Sequence, residues 1–385
     1  MGRYYFDWAA SSIPGNPSSV HHTEGKDARL ALEDARRRCA LALGVKPDEV
    51  YFTSGGTESN AIVLFSLLTK PRRLPQAHQQ KSDAASSLFL YSAVEHPSVR
   101  ENAAVLENLG IPCAPIGVEN DGRVSAVKLD KALAKNPHAR MAAIMAVNNE
   151  TGAINDIKAL SEVIRQRQGS AVHIHCDAVQ ALGKMNFNLY DWGVDSASFS
   201  AHKIGGSRGI GLLWLKKPIV PLIRGGDQEK KIRPGTENTL GVLNFADALE
   251  RISQAASASP TLHAAQRMRA LIESLQKTGQ FIPIPYGREA EDSRFSPWIF
   301  QCAFKNKSGA IIPGEVMARA LDEKGFAVST GSACSSAEKK RPVLEAMGID
   351  KETSRGGIRI SQGYGTTMEE INMLAGTIAA LLNTL

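Results

Sequence analysis

Long apolar runs are missing from this 385-residue chain. Stretches such as "NAIVLFSLL", Asn60 to Leu68, fall well short of the ~20 residues that cross a bilayer. The start "MGRYYFDWAA" has no leader pattern, and Phe6 stands where a myristoylation signal wants Ser or Thr. A cytoplasmic protein is therefore expected. Cysteine is scarce and unpatterned: Cys39, Cys113, Cys176, Cys302 and Cys334 form no CxxC, and an odd number suits reduced thiols rather than a disulfide framework. Neither charge sign dominates. The 45 basic and 39 acidic residues leave +6, spread out apart from short clusters such as "EKKIRP" and "EKKRP", so nucleic-acid binding is not expected. Repeats of fixed period and low-complexity tracts are absent too, which excludes a solenoid.

What is present is a length and a 43% hydrophobic content that can bury a sizeable core, in two domains. Short apolar runs alternate with helix-like segments: "EVYFTSG" then "TESNAIVLFSLLTK", "SLFLYSAVEH" then "PSVRENAAVLENLG", "ARMAAIMAVNNE" then "IKALSEVIRQRQ", and "SAVHIHCDAVQ". That order predicts βα units around a mostly parallel sheet. "KPRRLPQAHQQKSDAASS" is expected as an exposed loop, and "LGVLNFADALERISQAASA" with "TLHAAQRMRALIESLQKTG" as a linking helical region. The remainder, with "SPWIFQCAFKN", "GFAVSTGSAC" and "GIRISQGYG" between helical segments, predicts a smaller α+β domain.

In parallel sheets ligands sit outside the carboxyl ends of the strands, so the residues ending each run are the candidates. "FTSGGTESN" places Gly55, Gly56 and Thr57 between a strand and a helix, where backbone N–H groups and the dipole favour a phosphate; a plain turn is the alternative, since neither GxGxxG nor a P-loop is matched. His96 ends another run and either lies against a flat ring or is structural. His173, His175 and Asp177 share one strand face. They read either as metal ligands, with no second ligand cluster to support that, or through Asp177 alone as the buried carboxylate facing a pyridine nitrogen, with Gln180 near the ring oxygen. The second reading needs a lysine. Lys203 of "SAHKIGG" supplies it, after Ser200 and His202: a lysine amine forms a Schiff base with an aldehyde cofactor, and a carboxylate opposite the pyridinium makes the ring an electron sink.

Asp177 with Gln180, "SAHK" with its lysine 26 residues beyond that Asp, "FTSGGTESN", "EHPSV", "NNETG", "RPGTEN", "GSACSS" and "IRIS", in this order, resemble the cysteine desulfurases of the NifS and IscS type. The likeness runs from about Tyr5 to the C-terminal helix. It implies an α/β protein of the pyridoxal 5'-phosphate (PLP) dependent transferase fold type I, within the class V aminotransferase superfamily. A large PLP-binding domain of mostly parallel sheet would span residues 14–250. A smaller α+β domain, residues 1–13 and 251–385, would carry the cysteine loop. By resemblance Lys203 carries PLP, Asp177 pairs with its ring nitrogen, Gln180 faces its phenolic oxygen and His96 stacks on the ring. Gly56, Thr57, Ser200 and His202 would hold the phosphate, with Thr236 reaching into a partner's site, which implies a homodimer. Asn149 and Arg359 match the positions that grip the substrate carboxylate, a task suited to a guanidinium. No metal is implied.

The resemblance also implies a role for Cys334: a thiolate at the end of a Ser/Gly/Ala loop takes sulfur from L-cysteine as a persulfide, leaves alanine, and passes the sulfur to acceptor proteins such as an iron–sulfur scaffold. Several positions depart from the pattern. Ser11 and Ser12 replace threonines, Ala201 and Asp227 replace glycines, and Glu338, Lys339, Lys340 and Arg341 make the segment after the cysteine unusually charged. Two alternatives stay open: a selenocysteine lyase or another class V aminotransferase, and a non-catalytic sulfur-transfer assembly protein.

Overall fold

The computed structural model describes residues 4–69, 88–255, 260–331 and 341–384. The expected exposed loop at 70–87, and Cys334 with Glu338, Lys339 and Lys340, lie outside the described residues.

Seven strands, β1 (Val50–Thr53), β2 (Phe89–Ser92), β3 (Cys113–Ile116), β4 (Met141–Ala143), β5 (His173–Asp177), β6 (Ser196–Ser200) and β7 (Gly211–Leu215), form one sheet in the order β1-β7-β6-β5-β4-β2-β3. The pairs from β6 to β3 are parallel, as the βα alternation predicts. β7 runs antiparallel to both β6 and β1. Its run "GLLWL" is buried on both faces, so no pattern in it announces a direction.

Strand periodicity sorts the side chains into two cores. Val50, Phe52, Leu90, Ala142, Ile174, Cys176, Phe199, Leu212 and Trp214 join one core, with α1 (Thr23–Leu43), α4 (Ala126–Lys135), α5 (Ile157–Gln168) and α6 (Thr239–Ala255). Tyr51, Phe89, Met141, Ala143, Leu213 and Leu215 join the other, under α2 (Gly56–Thr69) and α3 (Pro97–Asn108). On that second face the middle of the sheet turns polar: His173, His175 and Asp177 of β5 lie beside Ser196, Ser198 and Ser200 of β6.

A third core closes the smaller unit, where β8 (Phe281–Ile284), β9 (Ile299–Phe304) and β10 (Ile358–Ser361) form an antiparallel sheet in the order β10-β9-β8. It packs against α7 (Pro260–Gln276), α8 (Gly314–Asp322) and α11 (Met368–Leu382), with the short α10 (Lys351–Gly356) beside β9, whereas the short α9 (Pro342–Ala346) sends Val343 and Leu344 into the first core. The expected linking helical region is divided between the units. Val242, Phe245 and Leu249 of α6 enter the first core, whereas Leu271, Ile272 and Leu275 of α7 enter the third.

One buried ion pair shapes the stretch leading to "RPGTEN". Glu229, Lys230 and Lys231 have φ of 45°, 54° and 67°, a left-handed run that costs non-glycine residues roughly 1 kcal/mol each. Glu229 holds it in place: the carboxylate accepts from Arg36 Nη1 at 2.7 Å, Arg36 Nη2 at 2.8 Å and the Phe52 amide at 2.9 Å. Among the described residues no helix is long and apolar enough to cross a membrane.

Candidate active site

A cavity of about 520 Å³ opens at the carboxyl ends of the parallel strands, against the smaller unit. Gly56, Thr57, His96, Asn149, Asp177, Gln180, Ser200, His202, Lys203 and Arg359 all line it. Thr236 does not: it is exposed in the turn after Arg233, which is paired with Glu58 of α2 at 3.2 Å. Asp227 is exposed as well, its charge offset by Lys231 at 3.4 Å.

Helix α2 starts at the cavity wall, so the unpaired N–H groups of its first turn face inward. Glycine is required there by space. A Cβ on Gly56 would meet Val179 Cγ2 at 2.6 Å, and one on Gly211 would meet the Gly55 backbone at 2.5 Å. Ser200 ends β6 with its hydroxyl 2.8 Å from His202 Nδ1, and the chain then makes a 3₁₀ turn, Ala201–Ile204, that carries Lys203 into the cavity mouth. Although Lys203 is open to solvent, partial desolvation and then the Arg359 charge lower its pKa, with Asp177 opposing. A lowered pKa enlarges the neutral, nucleophilic fraction of the amine.

The polar face of β5 and β6 is a directed hydrogen-bond chain whose proton positions follow from the partners. Burial pushes His175 down to about 3, so it is neutral. Its Nε2 donates to Asn60 Oδ1 at 2.8 Å, and its Nδ1 accepts from the Ser196 hydroxyl at 2.7 Å. Asn60, fully buried, then donates from Nδ2 to Asp177 Oδ2 at 2.9 Å and to Ser98 Oγ at 2.8 Å. Ser98 passes its proton direction on to His96 Nδ1 at 2.9 Å. His96 is the N-cap of α3, and its Nδ1 also accepts from the Ser98 amide at 3.1 Å, so a neutral ring carries its proton on Nε2. Desolvation keeps the ring neutral by lowering its pKa, helped by Lys203 and Arg100 and opposed by Asp177. One amide thus ties the candidate stacking ring to the candidate carboxylate. The metal reading of His173, His175 and Asp177 meets this chain instead: both His175 nitrogens are engaged, and no group of three metal-ligating side chains occurs among the described residues.

Glu95, next to His96, is fully buried; Oε1 accepts from the Met145 amide at 2.6 Å while Oε2 has no partner. Burial, and after it the Asp177 charge, raise its pKa well above the ordinary 4.5. Above 4.5 the unfolded chain has lost this proton while the folded protein retains it, so stability falls as pH rises, by up to about 1.4 kcal/mol per unit until the folded value is passed. Glu95→Gln, neutral at every pH, is expected to remove that slope. Thermal denaturation of both proteins between about pH 5 and 8 measures it; parallel curves would refute the assignment.

On the opposite wall, Arg359 of β10 donates to the Asn149 carbonyl at 3.0 Å, which brings together two residues 210 positions apart. Arg341 is more than a solvated charge. Its guanidinium is half-buried and donates to the Thr330 carbonyl and, at 3.3 Å, to the Gly357 carbonyl. Gly331, a cavity residue with φ of 112°, sits where a Cβ would lie 2.9 Å from Arg341 Nη1 and 3.1 Å from Glu150 Oε2. Asn60, Ser98, Lys184 and Trp298 are site residues that the sequence patterns did not single out.

The class-V aminotransferase family model matches residues 2–374. The cysteine desulfurase IscS of Dictyoglomus turgidum is 36% identical over 385 aligned residues, covering 96% of this chain and 88% of that protein. A NifS/IcsS protein homolog of Lactobacillus delbrueckii subsp. bulgaricus is 34% identical, covering 95% and 89%. Among solved structures, a NifS-like protein superposes with a TM-score of 0.82 at 31% identity, covering 96% of this chain and 92% of that one. SspA in complex with cysteine does so with a TM-score of 0.73 at 26% identity, covering 92% of each. On fold, site and likeness together, this chain belongs to the class-V aminotransferases, among the cysteine desulfurases of the NifS and IscS type.

Proposed function

We propose that the protein removes sulfur from L-cysteine with the help of PLP, giving L-alanine and a persulfide on Cys334. The observation that carries this reading is the cavity itself, in which Lys203, Asp177 and Arg359 face one space at the carboxyl ends of the parallel strands. Among the described residues three cations, Lys184, Lys203 and Arg359, line it against the single carboxylate of Asp177, a balance that favours a phosphorylated cofactor and an amino-acid carboxylate. The donor set fits PLP: the α2 N-terminus with Gly56 and Thr57, and Ser200 with His202, for the phosphate; Asp177 for the ring nitrogen; Gln180 for the phenolic oxygen; the flat neutral ring of His96 for stacking; Lys203 for the aldehyde. When bound, PLP supplies an electron sink that labilises bonds at the amino-acid carbons.

The chain's own residues do the rest. Arg359 and Asn149 orient the substrate carboxylate, and Lys203, with its lowered pKa, takes and returns protons. In the overall change the carbon–sulfur bond of cysteine breaks and a sulfur–sulfur bond forms on Cys334. The carbon keeps the electron pair, takes a proton and leaves as alanine. Acceptor proteins, such as an iron–sulfur scaffold, then receive the sulfur. In this reading residues 14–250 bind the cofactor, while 1–13 and 251–385 present the cysteine.

We assign Thr236 to the phosphate site of a second copy, in a homodimer. Leu240, four residues further on, is 78% exposed, apolar surface that a second copy would cover. A cytoplasmic location suits the four unpaired cysteines among the described residues. The test is to supply PLP and L-cysteine, and separately L-selenocysteine, and measure alanine with sulfide or selenide. Alanine from L-cysteine supports the reading; alanine from L-selenocysteine alone would make the protein a selenocysteine lyase, and none from either would leave an assembly role.

A further inference from the structure

Lys184 is an unexpected residue to find inside the cavity. It is partly buried, and among the described residues it has no carboxylate within ion-pair distance. Its side-chain hydrogen bond is short: Nζ donates to Gln180 Oε1 at 2.6 Å, four residues back across a turn. In its ammonium form a lysine has donors and no acceptor, so the Gln180 atom facing it is the oxygen. The other edge of that amide is therefore the NH₂, two donors left for whatever occupies the cavity.

The backbone holds Lys184 in this place from three sides. Gly183 has φ of 69°, and a Cβ there would lie 2.3 Å from the Tyr364 hydroxyl, which donates to the Gly183 carbonyl at 2.5 Å. The Lys184 carbonyl accepts from Trp298 Nε1 and from the Thr261 hydroxyl, each at 3.2 Å. These partners come from the smaller unit, so the packing of the two units fixes the lysine. A buried ammonium without a counter-charge is costly, and such a position persists where something in the cavity uses it.

We propose that Lys184 is a positioning residue that locks the Gln180 amide with its NH₂ toward the phenolic oxygen of PLP, so that only an electron-rich oxygen is accepted there. The inference rests on the PLP reading above. Its electrical setting is mixed: Lys203 and His202 come from the turn after β6, Arg359 from β10, Asp177 from the end of β5, and Tyr364 from beside Gly183. Desolvation, then Lys203 and Arg359, push Lys184 down to about 8. Its charge in turn opposes a second positive charge at Lys203.

The experiment uses PLP-loaded parent, Lys184→Met, Lys184→Gln, Lys184→Arg, Gln180→Ala and the double variant Lys184→Met with Gln180→Ala. Two quantities are read: the PLP dissociation constant, and the pH midpoint of the visible band of lysine-bound PLP. Lys184→Met is expected to weaken PLP binding about tenfold and to raise the midpoint by roughly one unit. Lys184→Gln follows it, and Lys184→Arg restores most of both. In the dissociation constant the double variant is no worse than Gln180→Ala alone, because the two residues act as one unit. Parent-like values in Lys184→Met and Lys184→Gln, or losses that add fully in the double variant, would overturn the inference while leaving the PLP reading intact. No visible band in the parent would overturn both.

Discussion

Lys203→Ala is expected to abolish the visible band that PLP gives when bound to the parent protein and to lower alanine formation on the order of a thousandfold. The reasoning starts from position. The 3₁₀ turn after β6 delivers one amine to the mouth of the cavity, and partial desolvation with the Arg359 charge lowers its pKa. Among the described residues the other lysine of the cavity is Lys184, whose amine is bonded to Gln180 at 2.6 Å. The fold should survive the change, because the Lys203 side chain is open to solvent and the hydrogen-bond chain from Ser196 to His96 does not pass through it. Absorbance spectra and an alanine assay check this. A variant that keeps both band and rate would mean that Lys203 is a surface charge.

Cys334→Ser is expected to keep the visible band and lose alanine formation by a similar factor, since a hydroxyl does not replace a thiolate as the acceptor of sulfur. The other four cysteines argue for this assignment. Burial pushes Cys39 and Cys113 up to about 12, and raises Cys176 and Cys302 as well, so all four stay as thiols. None of them lines the cavity. Gly331 does, and Cys334 follows it by three residues, a tether that spans at most ~11 Å. Alanine formation at the parent rate in Cys334→Ser would reject a persulfide on this residue.

Much of the site could be read from the sequence because the strand-end rule works locally. Each of "FTSGGT", "VEHPS", "HIHCDAVQ" and "SAHK" ends an apolar run with polar residues, and those ends converge on one cavity. The parts that could not be read depend on contacts between distant elements. Asn60 meets His175 and Asp177 across 115 and 117 positions, and nothing in "TESNAIV" distinguishes it from a helix-surface amide. Lys184 left a faint local signal, a lysine four residues after Gln180 within "AVQALGKM", but its burial comes from Trp298 and Tyr364 of the smaller unit. Arg341 was read as one charge in a charged run because its carbonyl partners, Thr330 and Gly357, lie 11 and 16 positions away. In the fold, the antiparallel course of β7 and the division between α6 and α7 escaped for the same reason. Apolar patterns report burial, and they carry neither strand direction nor the identity of the core that receives a helix.

The most direct test is mass spectrometry of the PLP-loaded protein after addition of L-cysteine. One extra sulfur atom on the peptide that contains Cys334 is predicted, absent when Lys203→Ala is treated in the same way. Alanine released while Cys334 stays unmodified, or sulfur found on one of the buried cysteines, would contradict the account.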